Sequence, residues 1–330
     1  MKSPGDCKCP EQSPGDSSIA EQSPGDYLYP IINCMFISLK GRTAIKLLSD
    51  LTFMNAILSQ QQIDSYRENG FLLIEDFLSE AELTVWREAV TEAIEQRGGK
   101  KMPGSEIKVG EDDGINKDSD YFAKVFDQML NLWQTNDKVK QLMLDKNLGR
   151  MAADLAGWEG TRIWHDQALV KRPWANPTSW HLDTPFWSFS DRRALSIWVA
   201  LDDATLENGC LYFIPGTCHS TTFENPGIGK NMDAVFEFYP QFIKSKSVAV
   251  PMKAGSCSFH NGLTIHGAGA NMTSGFRRAM TCAYMPDGAT FNGSKNILTD
   301  EQVAKLKIGD LLDDESQTPL IYSRLKTIHL

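Results

Sequence analysis

Basic charge is scarce in this chain: 33 Lys and Arg stand against 42 Asp and Glu, a net charge of −9 over 330 residues. With no basic cluster to offset that balance, broad binding to nucleic acid or to an anionic membrane surface is a poor reading. Long apolar runs are missing too. A spanning helix needs roughly 20 apolar residues, whereas the longest candidate, residues 27–39, is about 13 long and contains Pro30 and Asn33. Its leader is acidic rather than basic, which argues against a secretion signal. Cysteine is too sparse and irregular for a disulfide framework: seven, an odd number, at positions 7, 9, 34, 210, 218, 257 and 282. Cys7-Lys8-Cys9 is too tight for the usual zinc pair, so reduced thiols and a cytoplasmic location are expected. What remains is ordinary, 42% hydrophobic and 23% charged, which argues against wholesale disorder.

The first 53 residues differ from the rest. Ser-Pro-Gly-Asp recurs at 3–6, 13–16 and 23–26, and three turn signals separated by polar residues offer no periodic apolar face. Residues 1–53 read as a disordered extension, upstream of a natural start near Met54, and 54–330 as a single domain. A short helix is expected over 60–68, capped by Ser59 and stopped by Gly70, then a strand over 71–77. Ser79-Glu-Ala-Glu82 forms a capping box, after which Leu83, Trp86, Val90 and Ile94 recur at helical spacing until Gly98-Gly99. A further helix is expected around 137–156, and Thr299-Asp-Glu-Gln302 marks a last one. From Thr161 the texture becomes short β-type runs, at 163–171, 194–201, 210–214, 247–251, 256–265 and 277–285. Asn208-Gly209 reads as a hairpin turn. The expected class is mainly β, a sandwich or closed jelly roll buttressed by helices gathered at its N-terminal side.

Histidine is rare as well, six in all, which makes Trp180-His181-Leu182-Asp183 informative. On a strand, residues i and i+2 share a face, about 6.5–7 Å apart along the chain. His181 and Asp183 would therefore offer a nitrogen and an oxygen to one ion. A third donor must come from elsewhere, and Phe259-His260-Asn-Gly-Leu-Thr-Ile-His266-Gly267 supplies two candidates that strand parity cannot separate. Two histidines and one carboxylate on one side of an ion leave three adjacent positions open, as non-haem Fe(II) oxygenases require. Taken alone, His-X-Asp is weak, because a strand histidine bonded to a nearby carboxylate gives the same pattern. His165 and Asp166 are adjacent, face opposite ways on a strand and form no second pair.

An ordered series of motifs raises that weight. Gly70-Phe-Leu-Leu-Ile-Glu-Asp-Phe-Leu-Ser79, Trp164-His-Asp-Gln-Ala-Leu-Val-Lys171 and Trp180-His-Leu-Asp183 come first. Trp198-Val-Ala-Leu-Asp-Asp203, Glu207-Asn-Gly-Cys-Leu211, Ile214-Pro-Gly216, His266-Gly-Ala-Gly-Ala-Asn271 and Phe276-Arg277-Arg278 follow. Together, from about Gly70 to about Asp314, the chain resembles the phytanoyl-CoA dioxygenase family of Fe(II)/2-oxoglutarate oxygenases. The resemblance implies a double-stranded β-helix (jelly roll, cupin-like) core, with Fe(II) held by His181, Asp183 and His266. It also implies 2-oxoglutarate and O2 as cosubstrates. His266 is favoured as distal histidine by the Gly267–Gly269 segment, read as a turn, and by Arg277 eleven residues on. Arg277 is then the anchor for the distal carboxylate of 2-oxoglutarate, since a guanidinium makes two parallel charge-assisted hydrogen bonds and stays protonated. Gln167 and Trp198 are assigned to the cosubstrate site by the same resemblance. Arg278, on the opposite face, is expected at the surface.

The activity so implied is hydroxylation of an unactivated C–H of a small molecule, with succinate and carbon dioxide as co-products. Related halogenases carry a small residue where this chain keeps Asp183, which favours hydroxylation. Trp174, Trp180, Phe186, Trp187 and Phe189 crowd the metal segment, as a substrate wall or as core. Trp187, His260 and Lys171 are the candidate substrate residues, and His260 is equally readable as a packed or supporting histidine. His219 and His329 are expected to be solvated. Two departures from the family stand out: Cys218 where relatives often have His, and Ala268 where a hydroxyl residue is common. No obligate protein partner is evident. A non-catalytic binding protein of the same fold would be marked by a lost ligand or a lost Arg277, and neither is lost. A zinc hydrolase would leave Arg277 unexplained.

Overall fold

The computed structural model describes residues 56–111, 118–225 and 227–325. The repeat-bearing segment 1–53 and His329 lie outside the described residues. Eleven strands are found among those described: β1 (Phe71–Ile74), β2 (Asp127–Leu130), β3 (Gly160–Lys171), β4 (Thr178–His181), β5 (Leu195–Ala200) and β6 (Leu211–Phe213), followed by β7 (Val248–Val250), β8 (Cys257–Asn261), β9 (His266–Ala268), β10 (Arg277–Pro286) and β11 (Leu320–Ser323). They form two antiparallel sheets. The larger runs β1-β8-β5-β10-β3-β11, with β2 also on β3, and the smaller runs β4-β9-β6-β7.

Alternation along the strands sorts the side chains of the larger sheet onto two faces. Leu72, Ile74, Cys257, Phe259, Ile197, Val199, Met280 and Cys282 point outward, into a core shared with helices Glu80–Arg97, Asp137–Met143 and Lys146–Ala156. Trp198, Ala200 and Ala279 point inward and pack with Leu211, Phe213, Val250 and Ala268 of the smaller sheet. Phe71 and Phe213 stack across this interior, ring centroids 4.6 Å apart. Register on the inner face aligns Arg277 with Lys171, Thr281 with Gln167 and Trp198, and Ser196 with His260.

The expected helix caps are present. Ser59 and Ser79 both accept from the third helical N–H in complete capping boxes, and Gly70 and Gly98 end their helices in the left-handed conformation. Thr299 caps Asp300–Lys305 in the same way. Four local expectations need correction. The helix expected over 137–156 is two, broken at Leu144, because Asp145 starts the second by accepting from Asn147 N–H at 2.6 Å. The first strand stops at Ile74, since Asp76 turns the chain with φ 49°. Asn208-Gly209 is a turn but not a hairpin: β5 pairs only within the larger sheet and β6 only within the smaller, so the segment carries the chain between sheets. The run 256–265 is not one strand. It ends at Asn261, and after a turn the chain enters β9 of the other sheet, so Gly267 and Ala268 are strand residues and not a turn. Among the described residues, no helix is long and apolar enough to cross a membrane.

Candidate active site

His181 ends β4 and His266 opens β9, and the two are cross-strand partners. Directly opposed residues of antiparallel strands point to the same side, and here the ring centroids are 4.1 Å apart. Each ring is fixed by its own chain: Nδ1 of His181 donates to the Ser179 carbonyl at 2.7 Å, and Nδ1 of His266 to the Thr264 carbonyl at 2.9 Å. A carbonyl only accepts, so both protons sit on Nδ1 and both Nε2 atoms are left as free donors of a lone pair.

Asp183 reaches the same point by a different route from the one strand alternation suggested. The strand ends at His181, and Asp183 has helical φ/ψ (−87°, −52°) as the residue that precedes a short 3-10 turn. Its Oδ1 lies 3.5 Å from His181 Nε2 and 3.6 Å from His266 Nε2. One atom from each of the three residues falls within 4.8 Å of the others. Ligands about 2.1 Å from one ion and at right angles sit about 3 Å apart, so small adjustments of this set hold a divalent metal. Protonation fits as well. Burial, reinforced by His181, pushes His266 down to about 3, so it is neutral at physiological pH. Burial opposes the charge on Asp183, yet the carboxyl is held well below its usual range, with His260 facing its Oδ2 at 3.1 Å. A neutral imidazole at His266 and an ionised carboxylate are states that metal ligation demands.

Arg277 opens β10 on the inner face. It is 2% exposed, and its Nε and Nη1 find no hydrogen-bond partner among the described residues. Its guanidinium carbon lies 5.1 Å from the centre of the Trp198 ring, which is buried beside it. Burial lowers its pKa to about 10 against the opposing pull of Asp202 and Cys210, so the charge persists at neutral pH. A buried cation with two orphaned donors is costly unless an anion arrives. Arg278 faces the other way and forks onto Asp202 at 2.7 and 2.9 Å.

The remaining candidates separate. Gln167 is half-buried on the inner face and accepts from Gln128 at 2.6 Å. His260 sits on β8, not on the strand of His266, and its Nε2 lies 3.1 Å from Asp183 Oδ2. Lys171 is fully buried; its ammonium donates to the carbonyls of Val125 and Asn176, and its methylenes lie where a Cβ on Gly209 would fall, 2.8 Å away. Burial and the Arg277 charge lower its pKa to about 6. Trp187 is core: it stacks on Phe189, meets His165 edge-on, and belongs to the outer cluster. Phe189 is buried against Trp164, Trp180 is half-buried beside Phe236, and Trp174 is exposed, so the five aromatics do not form one wall. His219 is exposed, with Nε2 on the Glu68 carbonyl. Two further residues lie on the inner face, and only the first was not weighed from the sequence. Thr281 lies across from Gln167 and Trp198, and a period-two count from Arg277 reaches it. His165 has an unpartnered, buried Nδ1 and a pKa lowered to about 4 by burial, against Asp183; only its spacing from Gln167 pointed inward.

Comparison with known proteins adds a consistent picture. The family model described as phytanoyl-CoA dioxygenase matches residues 66–279. The peroxisomal phytanoyl-CoA dioxygenase of Mus musculus is 28% identical over 247 residues, covering 71% of this chain and 70% of that protein. Among solved structures, SnoK, a non-heme alpha ketoglutarate dependent carbocyclase from nogalamycin biosynthesis, is 29% identical. It superposes with a TM-score of 0.64, covering 82% of this chain and 99% of its own. SnoN, an epimerase from the same biosynthesis, shares the fold at 24% identity and a TM-score of 0.59, covering 79% of this chain and 98% of its own.

Proposed function

The chain belongs to the phytanoyl-CoA dioxygenase family, and we propose that it is an Fe(II)- and 2-oxoglutarate-dependent hydroxylase of a small molecule, acting on an unactivated C–H with succinate and carbon dioxide as co-products. One observation carries this reading: a His-Asp-His donor set and a buried, unpartnered guanidinium occur together in the interior between the sheets. We read the two sheets as the halves of a double-stranded β-helix, within one catalytic domain over residues 54–330.

His181 and His266 would hold Fe(II) through Nε2, and Asp183 through Oδ1. Bound iron and 2-oxoglutarate supply the oxidising chemistry, dividing O2 between succinate and the hydroxylated product. The protein does the rest. Arg277 offers a charged fork to the distal carboxylate of the keto acid, and Trp198 fixes the plane of that fork. Gln167, tethered by Gln128, borders the same surface. The apolar interior of Phe213, Leu211, Ala268 and Ala279 excludes water from the reacting groups. Lys171 is assigned to holding the backbone around Val125 and Asn176, and Trp187 to seating His165 beside the substrate. The carboxylate at 183 fills the position a halide would need, which supports hydroxylation over halogenation. Four buried, unpaired cysteines support a reducing, cytoplasmic setting.

Anaerobic titration of the protein with Fe(II) and 2-oxoglutarate tests the reading. The expected result is a visible charge-transfer band that is lost in Asp183→Ala, together with substrate-linked succinate formation found in a metabolite screen. Undiminished succinate formation in that variant would sink the assignment. Two solved relatives are named for ring closure and epimerisation, so a product lacking new hydroxyl oxygen would replace hydroxylation with another outcome of the same site.

A further inference from the structure

The two oxygens of Asp183 have different surroundings. Oδ1 faces the two imidazoles of the smaller sheet at 3.5 and 3.6 Å. Oδ2 faces the larger sheet, where His260 Nε2 stands 3.1 Å away. His260 is 4% exposed, with its ring 4.6 Å from that of His266 and 5.5 Å from that of Phe213. Its Nδ1 has no partner among the described residues. A carboxylate only accepts, so Nε2 carries the proton and donates it to Oδ2.

Asp183 needs such a tether. It lies beyond the end of β4, so sheet geometry does not fix its side chain. The tip of β8 supplies the anchor twice over: the backbone N–H groups of Asp183 and Thr184 both donate to the Gly262 carbonyl, at 2.8 and 3.1 Å, two residues beyond His260. The same short stretch therefore grips the Asp183 backbone with a carbonyl and its side chain with an imidazole.

We propose that His260 is a positioning residue that keeps Asp183 a one-oxygen ligand, directing Oδ1 alone at the metal and leaving three adjacent positions for the keto acid and O2. The inference rests on the function proposed above. A carboxylate free to turn about its last bond can present both oxygens, and the second would close one of those positions.

Co(II) serves as probe, because its visible spectrum reports coordination number. In His260→Ala, the Co(II) protein should bind 2-oxoglutarate about 10- to 100-fold more weakly, the scale for lost partners of metal ligands, and its spectrum should differ from wild type before the keto acid is added. His260→Gln, whose amide N–H can reach Oδ2, should restore wild-type spectrum and affinity to within about threefold, whereas the shorter His260→Asn should not. Thermal unfolding of the metal-free variants separates this from a packing defect, and if the Ala variant fails to fold, the Gln-against-Asn contrast carries the test. Wild-type spectrum and affinity in a folded His260→Ala or His260→Asn would overturn the proposal while leaving the function intact. Failure of the wild-type protein itself to bind Co(II) and 2-oxoglutarate would overturn both.

Discussion

Arg277 shows how much a single buried residue asks of its surroundings. Its charge survives burial beside the Trp198 face, and two of its N–H groups wait for an acceptor. Arg277→Lys keeps the charge but loses the planar fork. Steady-state kinetics should show KM for 2-oxoglutarate raised at least about tenfold, with a smaller change in kcat, the pattern of lost ground-state binding. An unchanged KM would remove Arg277 from the cosubstrate site. His165 makes a second prediction, about pH. Its folded pKa of about 4 lies below the 6.5 of a free imidazole, so the unfolded chain takes up a proton that the native state resists. Stability contributed in this way is present above about pH 6.5 and is lost as pH falls toward 4, an effect on the order of 3 kcal/mol. Asp166, raised to about 7 by burial, acts with the opposite sign over much of the same window, so the comparison must be between variants. Denaturant midpoints of metal-free His165→Asn should fall less steeply with acid than those of wild type; equal slopes would contradict the burial of a neutral imidazole.

Elements carry constraints of a different kind. Gly70 joins the helix Gln60–Asn69 to β1 with φ 79°, and a Cβ there would lie 2.2 Å from Thr264 Oγ1 and 2.9 Å from Cys218 Sγ. Thr264 also supplies the carbonyl that orients His266. Gly70→Ala should cost at least about 2 kcal/mol in urea unfolding. Adding Thr264→Ala should recover part of the loss, leaving about 1 kcal/mol of left-handed backbone penalty together with the Cys218 contact; a stable Gly70→Ala protein would contradict this junction. The caps that bound these elements were legible because their signals are local: Ser79 and Glu82 meet within one turn. The break at Asp145 was equally local and was overlooked, since apolar spacing runs on across it. The end of the strand inside 256–265 was not legible. Residues 262–265 read as a continuation of β8 but form a turn, and which sheet the strands on either side of it join depends on partners far away in sequence.

For the whole molecule, metal binding and stability should be linked. A ligand that binds only the folded state stabilises it by about 2.7 kcal/mol at a hundred times its Kd. Co(II) at that level should raise the unfolding temperature of the wild-type protein by several degrees and leave Asp183→Ala unmoved. A shift of equal size in both would place the metal elsewhere. The physical basis is that the three donors come from the end of β4, from the residue before the 3-10 turn that follows it, and from β9, and converge only when the fold is complete.

Donor types, the fork-shaped cation and the motif order that marks the family were written in the sequence, because each depends on residue identity and on spacings of a few positions. Only the tertiary structure decided how they meet. It opposed His181 to His266 across two strands and turned Asp183 in through a 3-10 bend. It also set His260 of the other sheet against the outer carboxylate oxygen, buried Lys171 on the inner face and packed Trp187 into the outer core. Cross-strand register and sheet membership follow from which faces bury together, a property of distant segments that no local spacing encodes.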